Sequence, residues 1–314
     1  MRAQRLQLFV VLALVFAFPL AAKAGGQLFY VGFASRIMIF ALAATSLNLV
    51  LGYAGMVSFG HAAFLGAGAY TVGILMAADV SSAWLAWPAA MAVCALLATA
   101  IGAMCLRTRG AYFIMITLAF AQMIYFLAVS IGPFGGEDGF NLPGRSSIGF
   151  GLDLRDEVTF YYVAAVILIG ALFLLHRLAG ARFGRVIGGI RENETRMEAI
   201  GFPTFRFKLA CFAIGGSVAG LAGALIANQN DFVSPSLMQW TQSGTLMVMV
   251  ILGGAGRLLG GVLGAAVYLV LEEVLSGYTI HWQFGLGAVL LAVVLFARKG
   301  LAGLLPGGVA GPRG

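Results

Sequence analysis

The sequence predicts an all-α protein, a polytopic bundle of transmembrane helices with about ten crossings and both termini cytoplasmic. Three observations lead there. The 314 residues are 61% hydrophobic and only 10% charged, with a mean hydropathy of +0.97, outside the range of soluble domains. The apolar runs have the length of about 20 residues that a helix needs to cross a hydrocarbon core, and they lack the short alternating segments of a membrane β-barrel. The basic residues gather at the ends of these runs, where they set orientation. The net charge of +7 therefore points to membrane lipid and not to nucleic acid.

From the amino end, Arg2 and Arg5 precede an apolar run from Leu6 to Leu20 and the small-residue stretch AKA at 22–24. This imitates a cleavable signal peptide, but the run is long enough to anchor, and we read it as the first crossing, Leu6 to Ala22. The next crossings are Leu28 to Leu51, Phe59 to Ala78, Trp84 to Leu106 and Ala111 to Ile131, each an uncharged or nearly uncharged run. Then come Gly132 to Thr159, an outer loop that is acidic through Glu137, Asp138, Asp153, Asp156 and Glu157 and turn-rich in GPFGGEDGFNLPG, and the crossing Phe160 to Leu178. After a charged stretch the runs resume as Leu209 to Asn228, Thr241 to Leu252, Leu258 to Ser276 and Phe284 to Phe296. Residues 1–302 are read as a single transmembrane domain, and the tail from 303 to 314 has the composition of a disordered end.

Charge supports this order. With the amino terminus inside, the inner loops and tails hold 15 Lys and Arg residues against three (Lys23, Arg145, Arg155) outside, as the positive-inside rule requires. Arg36 is left over, near enough to the outer end of its helix to snorkel. Cys94, Cys105 and Cys211 all lie inside apolar runs with no metal-ligand spacing.

Several chemistries are missing from the text of the chain. Lysine occurs only at 23, 208 and 299, so no phosphate-binding loop of the G-x-x-x-x-G-K type can be written. A nucleophile elbow, a zinc-binding His pair and a metal-spaced cluster are also missing, so no catalytic, cofactor or metal site is expected. Ion-coupled transporters need titratable residues near the bilayer centre, and few occur here. Glu272 and Glu273 sit near an outer helix end, where solvation explains them, and the run NQND at 228–231 either lines an outer mouth or is an ordinary loop.

Two features carry function. The first is an internal echo: LGYAGMVSFG (Leu51 to Gly60) and LGGAGRLLGG (Leu252 to Gly261) share L-G-x-A-G-x4-G at an offset of 201 residues. A duplicated helix-break-helix unit of the kind that transporters build pathways from would explain it; so would chance in a chain with 44 glycines. Asn48, Ser58 and His61 surround the first break and are the candidate translocation-path residues, since broken helices expose polar backbone that must be buried or face a wet cavity. Packing and local satisfaction are the competing role for the same three.

The second is the stretch GRVIGGIRENETRMEAIGFPTFRFK (Gly184 to Lys208), which concentrates eight of the 31 charged residues. Gly184 to Gly189 reads as flexible, and IRENETRMEAI as one short cytoplasmic helix ending at Gly201 and Pro203. Ile187, Ile190, Met197 and Ile200 mark an apolar stripe, with dense charge of both signs around it. A helix of about eleven residues is marginal alone, so it packs either on its own bundle or on a cytoplasmic partner.

Three blocks, LNLVLGYAGMVSFGHAAFLGAGAYT (Leu47 to Thr71), Gly184 to Leu225, and ILGGAGRLLGGVLGA (Ile251 to Ala265), resemble in order the permease subunits of branched-chain amino acid ABC importers, the LivM-like kind. The resemblance implies that residues 179–208 form the ATPase-coupling loop, with Arg185, Arg191, Glu192, Glu194, Arg196, Glu198 and Gly201 as its functional residues. EAIG (Glu198 to Gly201) departs from the usual Glu-Ala-Ala-to-Gly spacing of such loops. The family implies two ATPase subunits, a second homologous permease and a periplasmic or lipid-anchored binding protein, in a bacterial or archaeal inner membrane. Closure of the ATPase pair would move the coupling helix and switch the bundle between its two facing states. Branched-chain or other aliphatic amino acids are the expected substrates; urea or short amides remain open within the family, and an ion-coupled secondary transporter is the competing class.

Overall fold

The computed structural model of the chain describes residues 25–149, 153–296 and 300–303, together with Phe18, Pro19 and Ala22. Among these the chain is mostly helical: α1 (Leu28–Asn48), extended by a π turn (Leu49–Tyr53), α2 (His61–Ala77), α3 (Ala83–Cys105), α4 (Ala111–Ser130), α5 (Glu157–Gly180), α6 (Arg182–Glu192), α7 (Glu194–Ala199), α8 (Thr204–Asn230), α9 (Trp240–Gly253), α10 (Gly260–Tyr278) and α11 (Trp282–Phe296). Away from water each backbone amide needs an internal partner, and a helix supplies one within its own segment, so long apolar runs become helices.

Nine predicted crossings coincide with α1–α5 and α8–α11. The first, Leu6 to Ala22, lies outside the described residues except at Phe18, Pro19 and Ala22, as does the tail beyond residue 303. Among the described residues, six helices are long and apolar enough to cross a membrane: α1 with its π turn, α3, α4, α5, α8 and α10. The other three are shorter, α9 having only 14 residues, or roughly 21 Å at the helical rise. That falls short of a hydrocarbon core of about 30 Å. α9 is followed by non-helical chain, 254–259, in which Gly254 is buried and Ala255 and Leu259 are exposed.

α8 forms the axis. It runs 27 residues between α3 and α2 on one side and α1 on the other, presenting Gly215, Gly216, Ala219, Gly220, Ala222, Gly223 and Ala224, all buried. Small residues let backbones approach where no hydrophobic effect drives association between helices in lipid. A Cβ at Gly220 would lie 2.7 Å from the Cys94 Cβ of α3. The outward faces of α3 and α4 instead expose Leu96, Met104, Met115, Met123 and Leu127, which suits contact with acyl chains and not with water.

The described residues of the predicted outer loop, between α4 and α5, form a cap. Its strand β1 (Phe140–Asn141) pairs antiparallel with β2 (Phe232–Val233), just after α8. Arg145 is almost wholly buried, and its guanidinium donates to Leu154 O at 2.7 Å, Glu157 at 2.6 Å and Gln229 O at 3.4 Å. Asp231 faces it at 3.7 Å, and the Phe160 ring lies 5.0 Å away. Asn228 accepts from Ser146 N at 2.6 Å, and Gln229 donates to Gly32 O at 2.7 Å. The NQND run therefore fastens the cap to α8 and α1. Arg36, the basic residue left over, pairs with Glu272 at 3.9 Å.

Candidate functional site

The charged stretch differs from its sequence-based reading. In place of a flexible Gly184 to Gly189 and one helix from Ile190, the glycines are helical within α6, and the break falls at Asn193 (φ −156°, ψ 98°). Each glycine costs about 1 kcal/mol in a helix, but burying Ile187 and Ile190 against the bundle outweighs that. Asn193 accepts from Arg196 N at 2.9 Å, the capping role that asparagine performs better than it serves a helix interior. The result is two short helices at an angle, joined by a cap.

These helices are tied to their own protein. Glu194 pairs with the buried Lys208 at the start of α8 and with Arg109 from the α3–α4 turn at 3.4 Å. Glu198 accepts from Thr204 Oγ1 at 2.8 Å and lies 3.8 Å from Arg109. Arg191 donates to the carbonyl of Gly52 in the π turn. Arg185, Glu192 and Arg196 are exposed and make no ion pair among the described residues. Gly201 (φ +88°) ends the turn after α7, and Ile200, Phe202 and Phe205 stand exposed beside it. The charged coupling-loop residues thus divide: Arg191, Glu194 and Glu198 have partners within the chain, although Arg191 and Glu198 are themselves exposed, whereas Arg185, Glu192 and Arg196 are exposed without an ion pair among the described residues.

The three residues at the first glycine break are all fully buried. Asn48 donates to Arg257 O at 2.6 Å and accepts from Gly256 N at 2.8 Å, so both ends of its amide are engaged. Ser58 accepts from Gly60 N at 3.2 Å. His61 Nε2 lies 2.8 Å from Ser46 Oγ, whose single proton is committed to Ala43 O at 2.6 Å. Nε2 therefore carries the proton and donates to Ser46. Asn48 is thus satisfied by a distant turn and Ser58 within its own turn, whereas His61 Nδ1 is buried without a hydrogen-bond partner among the described residues.

The echo segments lie against each other. The equivalent glycines Gly55 (φ +72°) and Gly256 (φ +81°) share a left-handed conformation that only glycine adopts freely. A Cβ at Gly52 would overlap the Asn48 amide and come within 2.9 Å of Gly256 Cα. Each break then opens a new helix, α2 at His61 and α10 at Gly260, and Ser243 of α9 caps α2 by accepting from Ala62 N at 2.9 Å. Sequence reasoning missed Lys208, Arg109, Arg257 and Ser243. Lys208 alone carried a signal, as a rare lysine leading into an apolar run.

Among the described residues the site offers hydrogen bonds and closely packed backbone turns. Residues 29–297 match the family described as branched-chain amino acid transport system / permease component. The chain is 29% identical to the high-affinity branched-chain amino acid transport system permease protein LivM of Escherichia coli and 28% identical to that of Salmonella typhimurium, over 95% of this chain and 75% of theirs in each case. A xylose transport system permease protein of Escherichia coli is 31% identical over 45% of this chain and 37% of its own length. No solved structure matches. The chain belongs to the family of permease components of branched-chain amino acid transport systems.

Proposed function

We propose that this chain is the membrane-spanning permease subunit of an ATP-driven importer that carries branched-chain or related aliphatic amino acids across the inner membrane. The observation that carries the reading is the family match over residues 29–297, joined to similarity with LivM over nearly the whole chain. The match to a xylose permease covers less than half of the chain, so the substrate follows the longer similarity. Urea or short amides are the alternative within the family.

In this reading, residues 1–302 form one permease domain of about ten crossings with cytoplasmic termini, and α9 and α11 cross with the help of neighbouring non-helical chain. The face bordered by Arg185, Glu192, Arg196 and Gly201, with Ile200, Phe202 and Phe205 beside it, docks one of two ATPase subunits. An amphipathic pair of short helices with unspent charge of both signs suits a groove in a partner. A second permease completes the membrane assembly, and a binding protein lands on the outer cap. Because no bond is made or broken in the cargo, small buried polar groups and movable helix ends suffice for the work.

The test is reconstitution in proteoliposomes with and without the ATPase subunits and binding protein. Uptake of leucine, isoleucine or valine that requires ATP and all subunits is expected. Uptake driven by an ion gradient with no ATPase present would sink the proposal. Ligand binding by the partner binding protein separates amino acids from urea and amides.

A further inference from the structure

Arg191 occupies a position that docking alone does not require. Its stem crosses Gly55, where a Cβ would come within 3.0 Å of Arg191 Cγ, and its guanidinium reaches Gly52 O. A Cβ at Gly256 would lie 3.2 Å from the same guanidinium. One side chain from the last turn of α6 thus touches both glycine-rich breaks. A planar fork with five N–H donors on a long stem is suited to bridging two turns, and lysine's point charge is not.

The breaks are in turn joined to each other. Asn48 holds the 256–257 turn through both amide atoms, and the turn is anchored onward, Arg257 donating to Ala302 O. Ile187 and Ile190 of α6 share an apolar cluster with Leu49, Val50, Ala54 and Met56 of the first break, so the polar contact sits on a packed surface. Helix ends of this kind move as bodies when pushed, because packed interiors rearrange between discrete arrangements and do not deform smoothly.

We infer that Arg191 is a positioning residue that carries displacement of the cytoplasmic helix pair to both glycine breaks at once, and that Asn48 makes the two breaks move as one. The inference rests on the importer reading above and deepens it. It separates two jobs within one short segment: Arg185, Glu192 and Arg196 meet the partner, and Arg191 passes the motion inward.

The experiment uses the complete complex in proteoliposomes and reads leucine transported per ATP hydrolysed, with ATPase co-purification as the second readout. Arg191→Ala and Asn48→Ala are expected to keep co-purification and hydrolysis while transport per ATP falls about tenfold, the size of one charge-assisted hydrogen bond expressed as an equilibrium. Arg191→Lys, which can serve Gly52 O but cannot bridge both turns, should recover part of the loss. Parallel loss of transport and hydrolysis, no loss at all, or loss of ATPase co-purification in Arg191→Ala would each overturn the inference. If Arg191→Ala does not fold, spin labels on Arg182→Cys, exposed at the start of α6, and Leu259→Cys decide the matter in an otherwise native chain, whose own Cys94, Cys105 and Cys211 are buried. A label distance that holds through the ATP cycle supports the linkage, and one that changes refutes it. Failure of the importer reading looks different: the unaltered chain would not retain the ATPase subunits.

Discussion

The two ends of the molecule handle charge in opposite ways. At the outer cap, Arg145 is buried and surrounded by Glu157, Asp231 and two carbonyls, and its ring neighbour Phe160 closes the site. At the end that carries α6 and α7, Arg191, Glu194 and Glu198 reach Gly52, Lys208 and Arg109, while Arg185, Glu192 and Arg196 have no ion pair among the described residues, and Ile200, Phe202 and Phe205 are exposed in the same stretch. The Arg145 guanidinium takes its partners from its own chain, although Asp231 Oδ1 beside it is buried without a hydrogen-bond partner among the described residues. Charges without partners next to exposed apolar surface form, in the proposed reading, a surface that another subunit completes.

Breaking the outer network should have the largest effect on folding. Arg145→Met leaves Glu157 and the carbonyls of Leu154 and Gln229 without their donor, and loss of a partner from a buried ion network costs about 3 kcal/mol. A clear drop in the melting temperature of the detergent-purified protein is expected, and an unchanged melt would remove the cap from the list of stabilising elements. Next comes Glu194→Gln, which strands the buried Lys208 at a cost of about 2 kcal/mol. Adding Lys208→Met should restore most of that loss; a double variant no better than the single one would show that the pair is not coupled.

Asn48→Ala removes two buried hydrogen bonds and is expected to cost about 1–3 kcal/mol, read in the same melts alongside its effect on coupling. The smallest effect on stability belongs to the outward charges. Glu192→Arg and Arg196→Glu should stay within about 0.5 kcal/mol of the parent, yet lower recovery of the ATPase subunits in pull-down. Equal recovery would move the docking surface elsewhere. In this respect the structure sharpens the expectation for the coupling loop: Arg191 and Glu194 have internal partners, so reversing their charge tests the permease itself as much as its docking.

Much of this was legible from the residues. Nine apolar runs became the helices expected of them, and the charged stretch was recognisable as helical and amphipathic. The echo of LGYAG and LGGAG was visible, but its meaning was not, since 44 glycines make short matches cheap. The shared left-handed φ of Gly55 and Gly256 and their contact through Gly52 give the echo a physical form. The position of the break in the charged stretch was misread because helix propensity favours Arg-Glu-Asn-Glu as continuous helix. Asn193 could be recognised as a cap only once α7 was seen to turn toward Lys208 and Arg109.

Composition and run length by themselves determined that the chain lives in a membrane, is helical and sets one charged segment apart from its apolar runs. These are local matters: each residue either tolerates hydrocarbon or does not, and about 20 apolar residues in a row can satisfy their own backbone. Only the tertiary structure decided which groups meet. Arg191 reaches a carbonyl 139 residues away in sequence, and Asn48 reaches turn atoms 208 and 209 residues away. Such pairings depend on how α1 packs against α8, α9 and α10 and how α6 packs against α8, and no short-range pattern in the sequence encodes them.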